Sequence, residues 1–462
     1  MNNLKFNNRY IFAISMVSAL GGLNFGYDWV VIGGAKPFYE QFFHITKSPV
    51  LQGWAMSSAL IGCLFGAMLS GLLSDRYGRK RLLMFSAILF TFSAIGTGAT
   101  DSFDLFIIYR IIGGIGIGLA SNLSPMYIAE IAPAEIRGKM VSLNQLTIVI
   151  GILAAQLVNW QIARPVPETF TDTDILYSWN GQMAWRWMFW AEVIPAGLFF
   201  FLMFFVPESP RWLAQNGGEF KVKAILSKIG NDKYVQSEYN NIRQSLDNVS
   251  GKEYFKQLFE PKLRKVLIIG VVLAAFQQWC GINVIFNYAE EVFKAAGFGV
   301  SDILFNIVIT GSVNLVFTFI AIYTVDKLGR RLLMIIGAAG LASIYALLGA
   351  AYFLNISGWI MLILVLLAIA TYAMSLAPIV WVIISEIFPN KIRGGAMAVA
   401  TVSLWLASFL LTYTFPLLNK ALGPSGTFWL YGIICLCGLI FVYKRLPETK
   451  GKSLEELEKE LA

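Results

Sequence analysis

Apolar residues run along this chain in stretches of about 20, separated by short polar segments, and a helix of that length crosses the hydrocarbon core of a bilayer. Twelve spans are predicted, over residues 10–34, 51–73, 82–99, 104–129, 139–161, 186–206, 266–293, 303–325, 332–354, 358–385, 395–419 and 426–444. The expected fold class is an all-α polytopic membrane protein. Its domains are an N-terminal six-helix bundle over 1–206, a linker over 207–265, a C-terminal six-helix bundle over 266–445 and a tail over 446–462. Ala224, Ile225, Leu226 and Ile229 fall at helical spacing in the linker, which predicts short amphipathic helices lying under the membrane. Pro165, Pro167, Thr169, Thr171 and Asp172 make 162–185 an irregular loop. The first span is too long for a signal-peptide core and no small-residue cleavage site follows it, so it reads as a spanning helix.

Composition sharpens this picture. The chain is 57% hydrophobic and 14% charged, against about 25% charged in soluble domains, which excludes a single soluble core. The net charge of +8 is spread over short connections and reads as topology, with no nucleic-acid partner expected. Most of the 36 Lys and Arg fall on the side that holds both termini and the linker; the other side holds Lys36, Lys47, Arg164, Lys294 and Lys420. That asymmetry predicts cytoplasmic termini. Cys63, Cys280, Cys435 and Cys437 lie in apolar stretches as small hydrophobes. His44 is the lone histidine, and neither HExxH nor GxSxG occurs, so no enzyme, metal or cofactor is expected.

Three signatures occur twice in the same order, 240 to 256 residues apart. Asp75-Arg76-Tyr77-Gly78-Arg79-Lys80 is answered by Asp326-Lys327-Leu328-Gly329-Arg330-Arg331. Glu130 to Gly138 is answered by Glu386 to Gly394, each running from Glu through Pro to Ile-Arg-Gly. Pro207-Glu208-Ser209-Pro210-Arg211 is answered more weakly by Pro447-Glu448-Thr449-Lys450. Parallel duplication of a six-helix unit is a transporter architecture. The repeated acids and bases (Asp75, Arg79, Glu130, Arg137, Glu208, Arg211, then Asp326, Arg330, Glu386, Arg393, Glu448) sit at helix ends, where guanidinium and carboxylate can pair. They are expected to latch the two halves on the cytoplasmic side.

These motifs, with the PESPRWL run at 207–213 and the PETKGKSLEELE run at 447–458, resemble the sugar porter family of the major facilitator superfamily over nearly the whole chain. Arg110-Ile-Ile-Gly-Gly-Ile-Gly, Ser124-Pro-Met-Tyr-Ile-Ala-Glu, Gln277-Gln278 and Gly281-Ile282-Asn283 are most similar to its bacterial proton-coupled pentose symporters, and the chain also resembles the animal glucose facilitators. The resemblance implies proton-coupled uptake of a monosaccharide (D-xylose or a related pentose or hexose such as D-glucose) by alternating access, by a monomer in a bacterial plasma or inner membrane.

Ionisable residues deep in a span are functional candidates. Asp28, Arg110 and Glu192 each lie about six residues, or ~9 Å, from the outer ends of their helices, so they share a depth. Arg stays protonated, hence a neighbouring carboxylate either pairs with it or takes a proton. The resemblance assigns Asp28 as the proton carrier, with Arg110 and Glu192 as its partners. A sugar calls for neutral amides and an aromatic plate. Gln145, Gln277, Gln278, Asn283, Asn314 and Trp381 match the family's sugar contacts, and Phe25, Trp405 and Tyr288 are candidate cavity walls. Gly281 and Pro378 predict loosened helices beside the site. Leu404, Ala377 and Ile152 stand where the pentose symporters have glutamine, glycine and glutamine, which leaves the preferred sugar open. The alternatives are a uniporter with Asp28 always paired, or a sugar sensor.

Overall fold

A computed structural model describes residues 6–167, 169–247, 261–388 and 393–450. The side chains of Asp326 and Arg393, residues 248–260 of the linker and 451–462 of the tail lie outside the described residues. Spans 1 to 5 are the helices Asn8–Phe42, Pro49–Tyr77, Arg79–Ala99, Phe103–Ile131 and Arg137–Ile162, and span 6 covers Asn180–Met203. Span 7 covers Leu263–Asn287, span 8 Val300–Leu328, span 9 Arg330–Phe353, and span 10 the pair Trp359–Met374 and Leu376–Ile387. The last helix, Arg393–Arg445, has 53 residues, or about 80 Å if straight, far more than one bilayer. Gly423 interrupts it with φ 69° and ψ 173°, which divides it into spans 11 and 12. Large apolar side chains such as Ile194, Phe201, Phe205, Leu347 and Ile433 are 57% to 83% exposed, a surface that only lipid can cover.

The N-terminal bundle is closed by small residues. Gly62 and Gly66 of span 2 face Gly114 and Gly118 of span 4, and a Cβ on any of them would strike a backbone carbonyl of the opposite helix (Ile111, Ile115, Ala59 and Cys63 respectively). Two facing GxxxG stripes let the backbones approach to van der Waals distance, the main source of helix association in lipid. Gly114→Ala is therefore expected to cost about 3 kcal/mol and to lower the thermal midpoint of the detergent-solubilised protein. Gly197→Ala, where a Cβ meets nothing within 4 Å, should leave that midpoint unmoved, and equal behaviour of the two would refute close packing here.

Several features differ from the sequence reading. Span 1 continues through Pro37 to Phe42, so Lys36 is buried in a helix instead of lying in a loop, because carboxylates surround its ammonium. The loop 162–185 contains the short helix Asp172–Tyr177, started by a Thr171–Asp174 capping box. Span 6 begins earlier, at Asn180, and breaks at Ala191 and Glu192. Pro195 explains that break, since its ring opposes the carbonyl four residues back, at Ala191. Pro378 acts likewise on Met374, and span 10 breaks at Ser375.

Among the described residues, the linker holds the helices Pro210–Gln215, Glu219–Ile229 and Asp232–Asp247. It packs Val222, Leu226 and Ile229 against the first bundle, while Asn7 donates to the Ile229 carbonyl at 2.8 Å. The end of the molecule bearing it is called the linker end, and the opposite one the far end. The bundles meet through Trp54 and Phe409 (6.5 Å), Trp160 and Phe305 (5.7 Å), and the Val166 N–H on Ser301 Oγ (3.0 Å). All these contacts lie in the far halves of the helices, so the far end is closed.

Candidate functional site: a buried ion pair beside unpaired amides

Span 1 and span 4 bring Asp28 and Arg110 together at 1% and 2% exposure. Arg110 Nη1 pairs with Asp28 Oδ1, and Nη2 donates to the Asp28 carbonyl at 3.3 Å. The guanidinium lies 5.5 Å from the Phe189 ring centroid. Gly113, one turn on, makes room for the carboxylate: a Cβ there would meet Asp28 Oδ2 at 3.1 Å. Glu192, at the break of span 6, is buried and close enough to interact electrostatically with both partners. Asp28 Oδ2, Arg110 Nε and Glu192 Oε1 are buried with no hydrogen-bond partner. Two carboxylates thus face one permanent cation, and the free oxygens are places where a proton can be held.

The amides lie where helices are broken. Gly281, at φ 86°, separates Trp279 from Ile282 in span 7. On one side of it Gln277 donates from Nε2 to the carbonyls of Leu376 and Ala377, at 3.2 and 3.0 Å, in the first turn after the break in span 10. Its Oε1 is buried without a partner. Asn283 donates to Gln278 Oε1 across the break. Phe25, Trp29 and Trp405 form a ring cluster at the seam of the bundles, with centroids 5.8 to 6.0 Å apart, and Trp405 Nε1 has no partner.

Asn314 is buried on span 8, while Gln145 on span 5 and Trp381 on span 10 are partly buried. These three make no hydrogen bond to the Gln277–Gln278–Asn283 set among the described residues. Tyr288 is engaged in packing: its hydroxyl donates to the Thr412 carbonyl at 2.7 Å and its ring lies 4.5 Å from Phe415. Two residues not proposed from sequence join the site. Gln156 of span 5 packs on Gly311 of span 8 with both amide atoms unpartnered, and its signal was an amide inside an apolar run. Trp29, next to Asp28 in sequence, packs on Phe25 and Trp405.

The duplicated motifs form two matching networks at the linker end. Arg79 pairs with Glu130 at 3.0 Å and with Asp75 at 3.3 Å, Ser209 donates to Glu130, and Glu208 Oε1 accepts from the backbone N–H groups of Arg79, Lys80 and Ser209. Arg330 pairs with Glu386 at 3.1 Å, Thr449 donates to Glu386 at 2.6 Å, and Glu448 accepts from the N–H groups of Arg330, Arg331 and Lys450. Partial burial raises the Glu448 carboxyl, but those N–H donors outweigh it and hold it below the usual carboxylate range. Gly78 and Gly329, at φ 92° and 88°, make the turns that aim these donors. Among the described residues, the partners named here for each network lie within its own bundle. Arg137 donates from Nε to the Ala132 carbonyl at 3.3 Å, and Arg211 is exposed.

Unpaired neutral donors and acceptors and an aromatic plate, at the seam of two duplicated bundles, are the site of a membrane carrier for a small polyhydroxylated solute. The chain belongs to the Sugar (and other) transporter family, which matches residues 14–461. It is 43% identical to the D-xylose-proton symporter of Escherichia coli (strain K12), covering 99% of this chain and 96% of the relative. It is 40% identical to the arabinose-proton symporter of Bacillus subtilis (strain 168), over 97% and 95%. Among solved structures it resembles a partially occluded inward open conformation of the xylose transporter XylE from E. coli, with TM-score 0.84 and 40% identity over 96% of this chain and 100% of that one. The XylE complex with 6-bromo-6-deoxy-D-glucose gives TM-score 0.81 at 41% identity, over 99% and 100%.

Proposed function

We propose that this carrier moves D-xylose, or a related pentose or hexose such as D-glucose, into the cell together with a proton, by alternating access and as a monomer. The observation that carries the reading is the buried Asp28–Arg110 pair with Glu192 beside it. A carboxylate that must either hold an arginine or hold a proton couples protonation to the position of span 1. Sugar bound to Gln277, Gln278, Asn283, Asn314, Gln145 and Trp381, against Phe25 and Trp405, draws the bundles together. The networks around Glu130 and Glu386 then act as the jaws of the cytoplasmic gate. The concentration of Lys and Arg at the linker end supports a topology with both termini in the cytoplasm of a bacterial cell.

Uptake of labelled D-xylose, L-arabinose and D-glucose into proteoliposomes tests this directly. Accumulation of one of them, chemically intact, above the external concentration only when an inward proton gradient is imposed is the expected result. Equilibration at the same rate with and without the gradient would leave a uniporter and discard coupling.

A further inference from the structure

The far end of the bundle interface holds a second charge set, buried at Lys36 and Glu40 and partly buried at Glu290 and Glu291, separate from Asp28. Lys36 is 2% exposed. Its Nζ lies 2.9 Å from Glu40 Oε1 on the same helix, and 2.5 Å from Glu291 Oε1 and 3.4 Å from Glu290 Oε2 on the helix Ala289–Ala295 of the other bundle. Gln52 donates to Glu40 Oε2 at 3.0 Å. These ion pairs cross the seam that must part for the far mouth to open.

One ammonium cannot balance three carboxylates. The other charges nearby, Lys47, Asp172, Lys294 and Lys420, stand exposed around a cavity of about 420 Å³ that Lys36, Glu40, Glu290 and Glu291 also line, and are screened by water and salt. Tyr39 and Tyr288 lie alongside the set, the Tyr288 ring centroid 5.9 Å from Lys36 Nζ. Glu291 Oε2 and the Tyr39 hydroxyl are buried with no hydrogen-bond partner. A carboxylate oxygen withdrawn from water, without a donor and beside two further carboxylates, is stabilised by taking a proton.

We propose that Lys36, Glu40, Glu290 and Glu291 form a second proton-binding site of this carrier, loaded while the far mouth is closed and emptied when it opens. The proposal rests on the alternating-access reading above. On opening, Lys36 and Glu40 remain together four residues apart on span 1, while Glu290 and Glu291 depart into water and ionise. The closed form therefore binds one more proton than the open form. By linkage the closed-to-open ratio rises as pH falls, by up to about tenfold per pH unit.

Spin labels at Ser102→Cys and Ser357→Cys, in the far-end loops of the two bundles, report this ratio as a distance distribution in liposomes, with Cys437→Ser to avoid stray labelling and Asp28→Asn to silence the first site. The closed fraction is expected to fall between pH 5.5 and 9, and Glu290→Gln with Glu291→Gln to reduce the change in ratio to less than twofold. Lys36→Met, which removes the cross-bundle cation, should move the distribution toward the open form at pH 9. An undiminished pH response in the Gln variant overturns the site, as does a flat response in its parent while D-xylose still shifts the distance. A distance that neither pH nor D-xylose moves in any variant overturns alternating access itself, and the second site with it.

Discussion

Asp28→Asn is expected to abolish gradient-driven accumulation of sugar while leaving exchange of sugar for sugar within about threefold of wild type. A membrane potential of 100 mV supplies about 2.3 kcal/mol per charge, and one pH unit adds about 1.4 kcal/mol. Together they support accumulation of several hundredfold at one proton per sugar, and all of it should vanish. Exchange should survive because asparagine keeps the shape of the side chain and an oxygen that can accept from Arg110 Nη1, the donor that meets Asp28 Oδ1. Counterflow of labelled D-xylose in proteoliposomes, measured beside uptake with an imposed gradient, separates the two activities. A variant that still concentrates sugar would remove Asp28 from the coupling reaction.

Much of this was written plainly in the chain. Twelve spans were legible because the bilayer sets their length, and the matched networks around Arg79 and Arg330 were legible because the motifs repeat whole. What pattern could not supply was the destination of each charge. At the linker end, Gly78 and Gly329 turn the backbone so that Glu208 and Glu448 accept from N–H groups of their own bundles, a use of these carboxylates that the charge pattern alone does not announce. Lys36 read as a loop lysine because apolarity lapses after Ala35, whereas its partners at 290 and 291 are about 250 residues away and invisible to any local window. Pro195 was the overlooked local signal. Its effect at Ala191 places the buried Glu192 at a helix break.

Removing the cation is expected to do a different kind of damage from removing the acid. Arg110→Leu leaves Asp28 and Glu192 as two buried carboxylates with no positive partner, and breaking a buried pair from one side costs about 3 to 5 kcal/mol. The thermal midpoint of the purified protein should fall steeply, and both uptake and exchange should be lost. Replacing both partners removes the orphaned charge, so Asp28→Asn with Arg110→Leu should recover much of the midpoint while gradient-driven accumulation stays absent. That recovery, combined with the stability change of Asp28→Asn alone, gives the coupling energy of the pair by the double-mutant cycle, and it distinguishes a desolvated ion pair from two residues that merely fill space. If the single and double variants melt at the same temperature, the guanidinium is not balancing Asp28, and the competition between arginine and proton for that carboxylate cannot drive the cycle.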